Sequence, residues 1–351
     1  KLKKHAHVIL ANGSVDKVGK DQNKEARDRL TNKVDLYDRM TSPKGLGHNK
    51  FLVVCDKDKQ PIAVWTGSTN WTKTGLCTQI NNGFIIRDAA TAQIYLDQWQ
   101  RLLDAKSAFT DALVAANTQP KASQIGQSKL DIWFTKTKGK VDLDALNQII
   151  LNAQEAVLFL MFSPGKKELY KTIVDRWKNS QNLYMLGVVS DQPNLDDETK
   201  LDATIFGASG KKGLGLKIVQ PEGIATPFAS WAQTVTRNDF KANIGNAIVH
   251  SKLVVVDPFT NPTVITGSHN FSTNASSKND ENFVIVRGNT NLALAYASHI
   301  QSVYHHYRWL SFLSYKLSKG QDPWQYLVNS DGWQTYRLKG DYLKEMNFWV
   351  R

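Results

Sequence analysis

The chain has 351 residues, 41% of them hydrophobic, and carries 44 Lys and Arg against 32 Asp and Glu, a formal net charge of +12. That apolar share supports a sizeable folded core, and the positive surplus favours anionic partners: nucleic acid, an anionic membrane surface or a phosphorylated small substrate. The two cysteines, Cys55 and Cys77, lack Cys or His neighbours at ligand spacing, which excludes a disulfide framework and a zinc site.

The chain opens K-L-K-K with no apolar h-region, so no signal peptide is visible, and runs such as Ala156–Phe162 and Leu253–Val256 are far too short to span a bilayer. From His48 the sequence reads H-N-K-F-L-V-V-C-D, then V-W-T-G-S-T-N-W-T, then N-N-G-F-I-I-R-D from Asn81. From His250 it reads H-S-K-L-V-V-V-D, then V-I-T-G-S-H-N-F-S, then E-N-F-V-I-V-R-G from Glu281. Gly67, Ser68, Asn70 and Arg87 stand 200 positions before Gly267, Ser268, Asn270 and Arg287. Only the hairpin after each His-x-Lys run differs, by two residues. The chain therefore holds two copies of one unit.

In the second copy, short apolar runs bounded by Gly, Pro or Asn predict strands near Val157–Phe162, Leu183–Val189, Leu216–Val219, Lys252–Val256, Thr263–Thr266 and Asn282–Val286. Helices are expected over Leu143–Ala153, Lys167–Lys178 and Leu292–Leu317, and the mixture predicts an α/β sandwich. In the first copy His7–Leu10 corresponds to Leu183–Val189, and nothing matches Leu130–Phe162; repeat symmetry implies roughly fifty further residues upstream. The polar stretch Thr118–Gln127, with Pro120 and Gly126, marks the boundary between copies. Residues 1–120 thus read as a first, N-terminally incomplete half and 121–320 as the second half. Residues 321–351 read as a tail bearing Trp324, Trp333 and Trp349, packed on the domain. His305 and His306 sit in an aromatic-rich helix and read as packing residues. Lys211 and Lys212 form a basic loop that lacks the spacing of a phosphate-binding P-loop.

The paired motifs suit phosphodiester chemistry. A phosphodiester is anionic with a poor leaving group, so its cleavage without metal needs positive charge, a nucleophile and an acid. Two histidines divide the last two tasks: one attacks phosphorus through a ring nitrogen, and the other protonates the leaving oxygen and then deprotonates water. Residues i and i+2 of a strand share a face, so His48 points with Lys50 and His250 with Lys252. The lysines supply point charges for phosphate, Asn70 and Asn270 supply amide donors, and Ser68 and Ser268 supply hydroxyls for phosphate binding or support.

His-x-Lys, four residues, Asp, then Gly-Ser-x-Asn resembles the signature of the phospholipase D superfamily. The second copy fits it with His250, Lys252, Asp257, Gly267, Ser268 and Asn270; the first departs by placing Cys55 where the family has Asp. The resemblance implies a duplicated phospholipase D-like α/β sandwich, two mixed-sheet halves related by a pseudo-two-fold with the active site between them. It implies that the motif Asp is a structural anchor, so Cys55 should alter local packing; Cys55 itself is expected to be a small buried residue. It also implies a carboxylate eleven residues after the motif Asn that holds a histidine's far ring nitrogen. Glu281 stands there in the second copy and Asn81 in the first, so His250 is expected to have a charged partner and His48 a neutral one. The family assignment makes His48 the nucleophile and His250 the acid/base.

The catalytic set is therefore His48, His250, Lys50, Lys252, Asn70, Asn270 and Glu281, supported by Ser68, Ser268, Asn81 and Asp257, with no cofactor and no metal. The expected partner is a phosphodiester, an anionic phospholipid ahead of a nucleic acid, with contact to a membrane surface. A silent module that binds an anionic ligand is the remaining reading. A monomer is expected because both motifs lie in one chain. The compartment stays open, since an N-terminus that has lost its leading segment fits a secreted or periplasmic protein too.

Overall fold

The computed structural model describes residues 5–13, 21–41, 45–165, 168–180, 182–190, 203–206, 216–219, 249–322 and 329–351. Lys211, Lys212 and Trp324 lie outside the described residues. The first half runs β1 (His7–Ala11), α1 (Lys24–Leu30), β2 (Asp35–Arg39), β3 (Phe51–Cys55), β4 (Pro61–Gly67), α2 (Lys73–Cys77), β5 (Gly83–Ile86), α3 (Ala89–Ala105) and α4 (Asp111–Asn117). The second half runs β6 (Lys121–Ile125), β7 (Ser128–Phe134), α5 (Val141–Leu151), β8 (Ala156–Met161), α6 (Leu169–Lys178), β9 (Tyr184–Val189), β10 (Ala203–Phe206) and β11 (Leu216–Val219). It continues through β12 (Lys252–Val256), β13 (Thr263–Gly267), α7 (Thr273–Ser277), β14 (Asn282–Arg287) and α8 (Thr290–Ser318), and α9 (Gly332–Arg337) and α10 (Gly340–Trp349) follow. The expected strands of the second copy are all present, with ends shifted by a residue or so. The stretch Thr118–Gln127, read from its polarity as an interval between copies, contains strand β6, paired antiparallel with β7.

The second half is a nine-stranded mixed sheet in the order β10-β11-β9-β8-β12-β13-β14-β7-β6. Strands β8 and β12 are buried at every position, and apolar throughout apart from Lys252, because both faces are covered. With period two, Leu158, Leu160, Leu253 and Val255 face α8 and the first half, while Val157, Phe159, Val254 and Val256 face α5 and α6. The first core is shared: Val64, Ile86 and Tyr95 of the first half lie in one cluster with Val264, Val284 and Tyr304 of the second. The α/β sandwich is thus a single body with a common core. The first half itself holds two smaller sheets, β1-β2 parallel and β3-β4-β5 antiparallel.

The tail is attached by its last turns. Phe348 is buried, stacking on Tyr184 at 4.3 Å, and Trp349 packs against Tyr184 and Phe259. Trp333 is 56% exposed, so it does not share in the clamp. His305 meets Glu345 of α10 at 3.0 Å, a packing contact between helices.

Candidate active site

Each His-x-Lys run starts a strand, and each Gly-Ser-x-Asn run leaves the adjacent one. Gly67 and Gly267 end β4 and β13 so close to the next strand that a Cβ would lie 2.3 Å from the carbonyl oxygens of Asn82 and Asn282. The two halves then meet edge to edge. His48 N–H donates to Asp280 O at 2.9 Å, and His250 N–H donates to Ile80 O at 2.8 Å, each flanked by a short parallel bridge. Below them Thr66 Oγ1 donates to Asn282 Oδ1 at 2.6 Å, and Asn82 Nδ2 donates to Thr266 Oγ1 at 2.5 Å. These contacts repeat about a pseudo-two-fold and bring both motifs to one place.

The ring partners are exchanged across that axis. His48 Nδ1 meets Glu281 Oε2 at 2.6 Å, and His250 Nδ1 meets Asn81 Oδ1 at 2.9 Å. The expectation that each histidine takes its partner from its own copy is corrected: edge-to-edge docking places each β-strand entry beside the opposite motif, so His48 has the charged partner and His250 the neutral one. Asn81 Nδ2 donates to Gly75 O, which turns its oxygen toward His250 and leaves that ring protonated at Nδ1, with Nε2 3.1 Å from the Lys252 ammonium. The serines serve these partners. Ser68 Oγ donates to Asn81 Oδ1 at 2.9 Å and Ser268 Oγ to Glu281 Oε2 at 2.7 Å, while accepting the Asn82 and Asn282 N–H groups.

The family model described as a cardiolipin synthase, phospholipase D-like domain matches residues 5–103 and 146–304, well over half of the chain. The chain belongs to this phospholipase D-like family. A phosphatidylserine synthase of Haemophilus influenzae, 12% identical, is covered over 74% of its length by 86% of this chain with a TM-score of 0.51, which speaks for the fold alone. The phospholipase D family member Nuc of Salmonella typhimurium is 18% identical over 51% of this chain and 95% of its own, with a TM-score of 0.35. None of the curated proteins compared matches the chain. Membership of the phospholipase D superfamily supports phosphodiesterase-type activity.

In this phospholipase D-like site the charge is concentrated and poorly solvated. Lys50 and Lys252 are buried, and each ammonium donates to the carbonyl of its own motif histidine, at 2.6 and 2.7 Å. Burial pushes Lys50 down to about 8, opposed by Glu281, and burial with the charge of Lys50 holds Lys252 well below the usual lysine range. Burial, then Lys252, Lys50 and His48, push His250 down to about 2. Burial also lowers His48, against the pull of Glu281. Burial alone would raise Glu281, but His48 and Lys50 bring it below the ordinary carboxylate range. Two buried lysines face the single carboxylate of Glu281, an arrangement that a phosphodiester anion would complement.

The remaining predicted residues fall around this centre. Asn70 and Asn270 follow β4 and β13 at matching positions, half-buried, and the Asn270 side-chain oxygen has no partner among the described residues. Asp257 lies away from the histidines: its carboxylate accepts the N–H groups of Gln154, Glu155 and Ala156 and anchors the start of β8. Its counterpart Cys55 is an exposed free thiol, not the small buried residue expected, and among the described residues no strand start lies over it. Three features escaped the sequence reading. Phe162 stands 4.7 Å from the His250 ring and 4.9 Å from the Lys252 ammonium. The Thr66/Asn82 and Thr266/Asn282 sets were signalled by their 200-residue spacing. Arg39, fully buried, holds Asp280 at 2.6 Å next to Glu281, and nothing in the repeat pointed to it.

Proposed function

We propose that this chain cleaves phosphodiesters through a covalent phosphohistidine on His48, with His250 as acid and base. The observation that carries the reading is the 2.6 Å contact between His48 Nδ1 and Glu281. It leaves Nε2 of His48 as the attacking atom and sets a carboxylate against the positive charge that the ring acquires on bonding to phosphorus. His48 Nε2 bonds to phosphorus while the bond to the leaving oxygen breaks, and that oxygen takes a proton from Nε2 of a His250 imidazolium, which forms once the bound anion offsets the lysine charges that oppose its protonation. Water then attacks phosphorus as neutral His250 removes its proton, and the P–N bond breaks to restore His48. Lys50 and Lys252 hold the non-bridging oxygens, Asn70 and Asn270 donate beside them, and the entering anion restores the charge on the lysines that burial opposes.

The substrate we assign is a phospholipid. Support comes from the family model, whose description names cardiolipin synthase, and from both motifs lying in one chain. A nucleic acid is the second reading, favoured by the net charge of +12. The test is turnover in EDTA on phosphatidylcholine and phosphatidylglycerol vesicles beside single- and double-stranded DNA, with His48→Ala and His250→Ala as controls. Headgroup release lost in both variants supports the phospholipid assignment. DNA cleavage lost in both transfers the same chemistry to nucleic acid, and no turnover on any diester contradicts the enzyme reading.

A further inference from the structure

The two asparagines placed beside the phosphate are carried by unlike turns. Asn70 and Asn270 stand at matching positions, but among the described residues Phe271 has φ +55° whereas its counterpart Trp71 is not left-handed. A residue with a Cβ is strained in that region and stays there only where its neighbours hold it. His269 supplies the hold. Its Nδ1 accepts the Phe271 N–H at 3.0 Å, which closes the turn around Asn270. An accepting Nδ1 carries no proton, so the hydrogen sits on Nε2, 3.2 Å from Ser276 Oγ and 3.3 Å from Asp142 Oδ2. His269, Asp142 and Ser276 are each 0% exposed, and the rings of Phe283 and Phe271 flank the imidazole at 5.3 and 6.0 Å. Asp142 comes from the first turn of α5, and its other oxygen accepts Thr137 Oγ1 at 3.0 Å. Burial alone would raise Asp142, but His269, Ser276 and Thr137 bring it below the ordinary carboxylate range. The ring cannot turn without stranding that carboxylate. Thr69 stands in the place of His269 in the first half and borders, with Trp65 and Trp71, a cavity of about 490 Å³.

With the phosphodiesterase reading as its basis, we infer that His269 is a positioning residue for Asn270: by holding Phe271 in its left-handed turn it aims the Asn270 amide at the phosphate. Both ring nitrogens are taken up by Phe271, Ser276 and Asp142, so His269 acts through the turn and not on the reacting atoms. The Asn270 side-chain oxygen is buried with no partner among the described residues, so the direction of that amide is set by the backbone that carries it. Asp142 acts one step further out, by keeping Nδ1 of the ring toward Phe271. The second-half asparagine is then the preorganised donor of the pair, and Thr69 does not do the same for Asn70.

Two substitutions separate holding from packing. His269→Asn puts an amide oxygen where Nδ1 stood, keeps an acceptor for the Phe271 N–H as an Asx-turn, and leaves Asp142 without its ring partner. His269→Gln reaches Asp142 and Ser276 with its amide nitrogen and gives up the Phe271 bond. Each is made alone and with Asn270→Ala. Steady-state kinetics on bis(4-nitrophenyl) phosphate are measured beside denaturant melts and calorimetric binding of orthovanadate, which takes the five-coordinate geometry of phosphorus in the transition state. His269→Gln should melt near the parent yet lose about tenfold to a hundredfold in kcat, with little change in KM and a matching loss of vanadate affinity. His269→Asn should melt earlier but, where folded, keep kcat within about threefold of the parent. In the Asn270→Ala chain, His269→Gln should cost less than about twofold further, because the amide it aims is gone. Equal losses from His269→Gln with and without Asn270 overturn the inference, as does a kcat that follows the melting midpoint across the two variants. If His269→Asn does not fold, the His269→Gln cycle decides alone. A parent that turns over no diester ends the phosphodiesterase reading, and the vanadate cycle then decides the inference; a parent that binds no vanadate overturns it.

Discussion

Glu281 of the second half holds His48 of the first, Oε2 to Nδ1 at 2.6 Å, while the matching residue Asn81 holds His250 at 2.9 Å. Two sites related by repeat symmetry are thereby made chemically unequal. Glu281→Gln keeps the volume but removes the charge that balances a phosphorylated imidazole. It should lower kcat by roughly 10²–10⁴ with a small change in KM, measured by steady-state kinetics on a soluble diester.

The neutral partner should be convertible. Asn81→Asp places a carboxylate on His250 Nδ1, favours the imidazolium and raises the pKa of the acid. The protonated form then survives to higher pH. The alkaline limb of the kcat/KM profile should move up by about one unit or more. A profile unmoved by the substitution would show that His250 is not the group titrating.

Lys50 carries a cost to stability. Its pKa falls from the ordinary lysine value of 10.5 to about 8 in the folded chain because of burial. Between those values the unfolded chain binds more protons than the folded one, so stability should rise with pH from about 8 to 10.5, and the penalty is complete below about 8. Lys50→Met should flatten that part of the profile relative to the parent and abolish turnover. At pH 7 it should add on the order of 1–3 kcal/mol of stability, read by denaturant melts at several pH values.

Much of the candidate site's layout was legible in the sequence because it is local. His48 with Lys50, and His250 with Lys252, needed only the two-residue period of a strand, and the Gly-Ser-x-Asn runs needed only the repeat. The pairing of ring partners was not legible, since it depends on how one half docks on the other. Own-copy and cross-copy pairing use the same motif residues, and the bridges at Gly47–Asp280 and Ile80–Val249 decide between them. The same limit hid Arg39, whose partner Asp280 lies 241 positions away. The exposure of Cys55 was hidden for another reason: an apolar strand reads as buried whether or not its cover is present.

The Arg39–Asp280 pair joins the halves beside the Glu281 carboxylate, with side chains 2% and 1% exposed. Asp280→Ala leaves a buried guanidinium unpaired and should cost about 3–5 kcal/mol, with Arg39→Met in the same chain recovering a large part of it. A double-mutant cycle by denaturant unfolding measures this coupling.

Asp257 separates stability from chemistry. Its carboxylate accepts three N–H groups at the start of β8. Asp257→Ala should destabilise by about 2–4 kcal/mol. At a temperature where the variant remains folded, kcat should stay within a few-fold of the parent, which parallel melts and kinetics would show.

The central claim is that His48 carries the phosphoryl group and His250 moves the proton. Rapid quenching of the His250→Ala variant with a diester whose leaving group needs no protonation, followed by peptide mass mapping, addresses it directly. An acid-labile, alkali-stable phosphoryl adduct on the peptide containing His48, absent from Glu281→Gln on the same timescale, is the predicted result. An adduct on the His250 peptide of a His48→Ala variant, or leaving-group release by the His250→Ala variant with no adduct on His48 at any time, would contradict it.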